Sequence, residues 1–95
     1  MIFGLEKPDL YVVGRFLDII YKNGPAMKKT NIQMSLRLTY PRFKEYLQWM
    51  LEHQLVAETR DEDEKTERIM LTPKGVDSYH RLVDWINETL GGVKL

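Results

Sequence analysis

Lys29-Thr30-Asn31-Ile32-Gln33-Met34-Ser35-Leu36, then Arg37-Leu38-Thr39, then Tyr40-Pro41-Arg42-Phe43-Lys44-Glu45-Tyr46-Leu47 is the stretch that decides how this chain folds. Ile32 and Leu36 stand one turn apart, which suits a two-turn helix over about 28–36. Arg37-Leu38-Thr39 interrupts it. Thr39 is a good N-cap for a new helix, and Pro41 is tolerated in the first turn, where amide hydrogens lack intrahelical acceptors. Phe43, Leu47, Met50 and Leu51 recur at i, i+4, i+7 and i+8, so that helix runs over about 40–53 with those residues facing the core and Tyr46 at the edge of the stripe. Pro41, Glu45, Gln48 and Glu52 fall on the opposite side, flanked by Arg42 and Lys44. Two helices joined by three residues therefore present a polar, partly cationic surface at the start of the second.

Upstream, Leu10, Val13, Leu17 and Ile20, with Phe16 beside them, form one stripe of a helix over about 9–23. Asp9 can cap its start, and Asn23-Gly24-Pro25 offers a left-handed glycine followed by a proline that forbids continuation. Downstream, Leu55–Thr59 and Arg68–Thr72 read as strands of a hairpin over about 55–72, with Asp61-Glu62-Asp63-Glu64-Lys65-Thr66 at its tip. Thr72-Pro73 opens a last helix over about 73–90. Val76, Tyr79, Val83, Ile86 and Leu90 line one side of it, Leu82 and Trp85 lie close by, and Gly91-Gly92 ends it. No segment repeats, and 95 residues suit one domain spanning 1–95.

A composition of 43% hydrophobic and 29% charged residues is that of a globular chain. The absence of cysteine excludes disulfides, thiolate metal sites and thiol nucleophiles and suits a cytoplasmic location. No apolar run approaches the roughly 20 residues of a membrane span, and no secretory leader is read at the start. Fourteen basic and fourteen acidic residues cancel, but unevenly. Lys22, Lys28, Lys29, Arg37, Arg42 and Lys44 fill 22–44 without one acid, whereas 45–67 carries eight acids against Arg60 and Lys65. A solvated basic rim and an anion-binding face both fit such a run.

Helix, helix, short turn, helix, hairpin, helix is the order of a winged helix-turn-helix: mainly α with a small β-hairpin. A helix of about 14 residues is about 21 Å long and 10–12 Å wide, matching a major groove about 12 Å across. The residues also carry a resemblance. Lys29-Thr30-x-Ile32, Leu38-Thr39-Tyr40, Tyr46-Leu47, Leu51, Leu55 and Leu71-Thr72-Pro73-Lys74-Gly75 resemble the small archaeal winged-helix transcriptional regulators, and archaeal chromatin-type winged-helix dimers are similar. That resemblance implies double-stranded DNA binding through the helix at 40–53, a homodimer built on the C-terminal helix, and no catalysis. The chain departs from the pattern at Gln54, where these proteins often have glycine, and at Ile69, where they often have tyrosine.

On this reading Lys28, Lys29, Arg37, Arg42 and Lys44 neutralise phosphates, and Thr39 and Tyr40 offer hydroxyls to them, Thr39 being equally a cap. Arg42, Glu45 and Gln48 are placed to meet guanine, cytosine and adenine, with Glu45 also repelling phosphate. Arg60, Lys65 and Arg68 would clamp the backbone from the wing stem, while the acids at 61–64 repel it. Val76, Tyr79, Leu82, Val83, Trp85, Ile86 and Leu90 would form the dimer interface, since a small monomer does not readily cover so broad an apolar face. The alternative is a protein-interaction module using the acidic wing and the C-terminal helix, with a basic protein as partner at the tip. His53 and His80 lack a metal-ligand spacing, and no cofactor or catalytic constellation is read.

Overall fold

The computed structural model describes residues 7–60, 62 and 65–91. In chain order the elements are α1 (Leu10–Asn23), β1 (Ala26–Lys28), α2 (Lys29–Leu36), α3 (Tyr40–Glu52), β2 (Val56–Arg60), β3 (Glu67–Leu71) and α4 (Pro73–Leu90). The strands form one antiparallel sheet in the order β1-β3-β2, so the hairpin is the outer part of a three-stranded sheet. β1 is absent from the sequence reading, and Lys28 belongs to it rather than to the start of α2. Three residues carry no alternation to read, and β1 is a strand because it pairs with β3, Met27 opposite Ile69 and Lys28 opposite Arg68.

Three of the four helices begin where a side-chain oxygen accepts from an orphan amide. Asp9 accepts from the Tyr11 amide at 2.8 Å, and Thr39 accepts from the Arg42 amide at 3.4 Å. Thr72 accepts from the Gly75 amide at 2.9 Å, while its own hydroxyl donates to the Gln54 carbonyl at 2.5 Å. One threonine thus caps α4 and ties it to the turn after α3. α2 lacks such a cap and ends instead on Arg37 at φ 57°. The turn amides of Arg37 and Leu38 reach back to the Met34 and Gln33 carbonyls at 3.1 and 3.3 Å, which holds α2 and α3 at a fixed angle.

The three-helix stripes meet in one core. Phe16, Ile20, Ile32, Phe43, Tyr46, Met50, Val56 and Ile69 are almost wholly buried, and the Phe16 and Phe43 rings stack at 5.9 Å. Tyr46 is inside the core rather than at its edge, because its hydroxyl finds a partner there: it accepts from the Asp9 amide at 2.9 Å.

One glycine expectation is corrected. Gly24 is extended at φ −66° and not left-handed; glycine is required there because a Cβ would stand 2.8 Å from the Ile20 carbonyl oxygen. Gln54, by contrast, is left-handed at φ 60°, which gives a physical reason for the glycine common at this point in the proteins the sequence resembles. A residue with a Cβ pays roughly 1–2 kcal/mol in that conformation, against roughly 0.5–1 kcal/mol of extra chain entropy lost by glycine. Gln54→Gly is therefore expected to raise stability by up to about 1 kcal/mol in urea melts; a loss of that size would contradict the account.

α4 docks on α1 through Tyr79, whose ring meets Tyr21 at 4.6 Å and whose hydroxyl donates to Asp18 at 2.5 Å. Burial first, and then that bond to a carboxylate, push its pKa from 10.0 up to about 12. A pKa raised by folding contributes stability that is complete below pH 10 and is lost as pH rises through about 12. Ultraviolet titration should show one of the five tyrosines ionising last, together with unfolding. All five ionising together near 10 would refute it.

Candidate nucleic-acid interface

Three of the expected cations lie close along the chain. Arg37 closes α2, and Arg42 and Lys44 lie in the first turns of α3; all three are exposed, as are Thr39, Tyr40 and Pro41. This end of α3 is exposed from Thr39 to Arg42. The cations are held on aromatic faces, Arg42 5.2 Å above the Tyr46 ring and Lys44 5.5 Å above the exposed Tyr40 ring. Such contacts fix a long side chain at little entropic cost. Arg42 also donates to Glu45 at 3.0 Å, and Gln48 to Glu52 at 3.2 Å. The residues expected to meet base edges are thus pre-paired with carboxylates on their own helix.

The remaining expected cations form a second group. Lys28 ends β1 and Lys29 opens α2, whose eight residues separate them from Arg37 by about 12 Å along the helix. Lys29 reaches the sheet: its ammonium lies 2.7 Å from Glu58 and 3.1 Å from Glu67. Glu67 in turn meets Arg60 at 3.0 Å. The hydrogen bond to Glu58 chiefly raises the Lys29 pKa, and the bond from Lys29 holds the Glu67 carboxyl below its usual range. Exposed pairs of this kind are worth about 0.2–1 kcal/mol each. They orient the stem without locking it.

Register divides the stem cations further. Arg60 stands opposite Glu67, and Glu58 opposite Ile69, so alternation puts Arg60 and the two carboxylates on the sheet face that bears buried Ile69. Lys28 and Arg68 pair on the other face. The two stem arginines do not share a side, which a hairpin read without its register could not reveal. Lys65 lies in the exposed loop between β2 and β3. Of the acids at 61–64 only Glu62 is among the described residues, so the expectations placed on the acidic tip fall largely outside them.

The expected dimer face is narrower than the sequence implies. Tyr79 and Ile86 are each 7% exposed within the single chain, and Val83 packs partly against the core. Those residues face inward because α4 uses that stripe to dock on its own domain. Val76 and Leu82 are half-buried, while Trp85 and Leu90 are each 51% exposed. The histidines serve packing: His53 stacks on Trp49 at 4.0 Å and His80 meets Tyr21 edge-on at 5.2 Å.

No described helix is long and apolar enough to cross a membrane. No curated protein matches the chain in sequence. Among solved structures, F93 from STIV, described as a winged-helix DNA-binding protein, superposes with a TM-score of 0.74 at 14% identity over 85% of this chain and 92% of its own. Staphylococcus aureus MepR in its DNA-binding conformation gives 0.73 at 18% identity over 84% of this chain and 60% of its own. A Lactococcus lactis ZitR variant in apo form gives 0.72 at 17% identity over 85% and 61%. The chain thus spans about six-tenths of the length of MepR and ZitR. The winged helix-turn-helix family model matches residues 10–89, nearly every element described above, and the chain belongs to that family.

Proposed function

We propose that this chain binds double-stranded DNA in a sequence-specific or semi-specific manner, as a transcriptional regulator, by laying α3 in a major groove. The observation that carries the reading is that Arg37, Arg42 and Lys44 are all exposed, on the turn before α3 and on its first turns. Thr39 and Tyr40 add hydroxyls beside them. Arg42, Glu45 and Gln48 supply base-edge chemistry once the duplex has drawn them from their intrahelical partners. Lys28, Lys29, Arg60, Lys65 and Arg68 extend the footprint toward the wing. The description of F93 as a DNA-binding protein and of MepR in a DNA-binding conformation supports the same reading, as does the resemblance to archaeal regulators at Leu38-Thr39-Tyr40 and Leu71–Gly75. Duplex titration at increasing salt tests it. Affinity that falls steeply is expected, and flat or absent binding would favour the interaction-module alternative.

We infer further that the protein is a homodimer joined through Trp85 and Leu90, with Leu82, Val83 and Val76 at the margin. A two-fold dimer sets two copies of α3 about one DNA turn apart and calls for a pseudo-palindromic site. Sedimentation at micromolar concentration should give a dimer, which Trp85→Glu dissociates. A monomeric parent chain would reject the interface.

A further inference from the structure

Glu58 and Glu67 occupy an unusual position for acids in a protein read as a DNA binder. They project from β2 and β3 on the sheet face that also carries Arg60, and they close on Lys29 at 2.7 and 3.1 Å, with Arg60 at 3.0 Å from Glu67. Three separate elements, α2, β2 and β3, are joined by this one charge network. Arg42 on α3 differs in having a single carboxylate partner one turn along its own helix, Glu45 at 3.0 Å, where Lys29 is held by two from separate strands. Indiscriminate DNA binding draws its strength from counterions released as each free cation takes up a phosphate. A cation already neutralised by carboxylates releases little, and a phosphate that displaces them must sit beside the charges it has expelled.

We propose that Glu58 and Glu67 are specificity-determining residues that hold Lys29 and Arg60 as masked cations, so that only a duplex whose backbone passes closer to Lys29 than either carboxylate can engage the wing stem. The proposal rests on the DNA-binding reading. Its consequence is selectivity by backbone path: a poorly fitting duplex meets only the cations at the end of α3, and a well fitting one gains the stem as well.

The test compares binding of a random-sequence duplex across a range of salt, by fluorescence anisotropy, for the parent chain and four variants. E58Q/E67Q keeps side-chain size and hydrogen bonding but unmasks Lys29; it should bind several-fold more tightly at low salt, its log affinity falling more steeply with log salt by about 0.9 for each phosphate newly taken up. Adding Lys29→Met should abolish the gain. D84N/E88Q removes two acids from exposed positions on α4 and controls for overall charge; it should not reproduce the gain. Circular dichroism melts establish that each variant folds, and E58Q alone, which leaves Glu67 on both cations, should give a smaller effect of the same sign. A double variant that binds no more tightly, a gain that survives Lys29→Met, or an equal gain in D84N/E88Q would each overturn the masking while leaving the DNA-binding reading intact. A parent chain that binds no duplex at low salt would overturn both.

Discussion

Gly75→Ala should unfold at a melting temperature lower by roughly 12–24 °C, the consequence of about 3 kcal/mol lost from a domain of this size. The reason lies in how α4 begins. Thr72 caps the helix through the Gly75 amide, bonds the Gln54 carbonyl and, through its own amide, the Leu55 carbonyl at 3.1 Å. These bonds draw the first turn of α4 against the start of β2 so closely that a Cβ on residue 75 would overlap the Leu55 carbonyl oxygen. The obstacle is backbone, which no rotamer change relieves. Accommodating it requires either the cap or the strand to move, and Leu55 and Val56 are both buried in the core. A thermal melt by circular dichroism reads the effect. A variant within a degree or two of the parent would mean that α4 does not sit where it is described.

Arg42→Ala/Lys44→Ala has the largest expected effect on function. Both residues are exposed on the first turns of α3 and preset on aromatic faces, so each is taken to contribute one phosphate contact. Losing two should flatten the dependence of log affinity on log salt by about 1.8 and weaken binding about 10- to 30-fold near physiological salt. The core positions of α3, Phe43, Tyr46, Leu47 and Met50, are untouched, and the melting temperature should barely move. Loss of binding without loss of stability is the combination to look for. Full affinity in the double variant would remove this face from consideration.

The helices were readable because each buries a stripe, and periodicity records burial. Thr39, Asp9 and Thr72 were readable as starts because a cap is a local interaction between residues two or three apart. What escaped the sequence depends on pairing over long chain distances. β1 exists only against β3, and nothing within Ala26-Met27-Lys28 signals it. The bonds of Lys29 to Glu58 and Glu67 span 29 and 38 positions and require the strand register to be known. Gly24 shows a different limit: glycine serves both positive φ and close approach, and the residue type does not say which. On α4 the apolar stripe was legible, but not that Tyr79 and Ile86 would be used within the chain itself, leaving Trp85 and Leu90 outward.

The most direct measurement is equilibrium binding of the unmodified chain to a duplex from low to moderate salt. With Arg37, Arg42 and Lys44 each neutralising one phosphate, log affinity should fall against log salt with a slope of about −2.7 for each protomer engaged. Binding that is undetectable at low salt, or indifferent to salt throughout, would contradict the claim that the open end of α3 is a surface for nucleic acid.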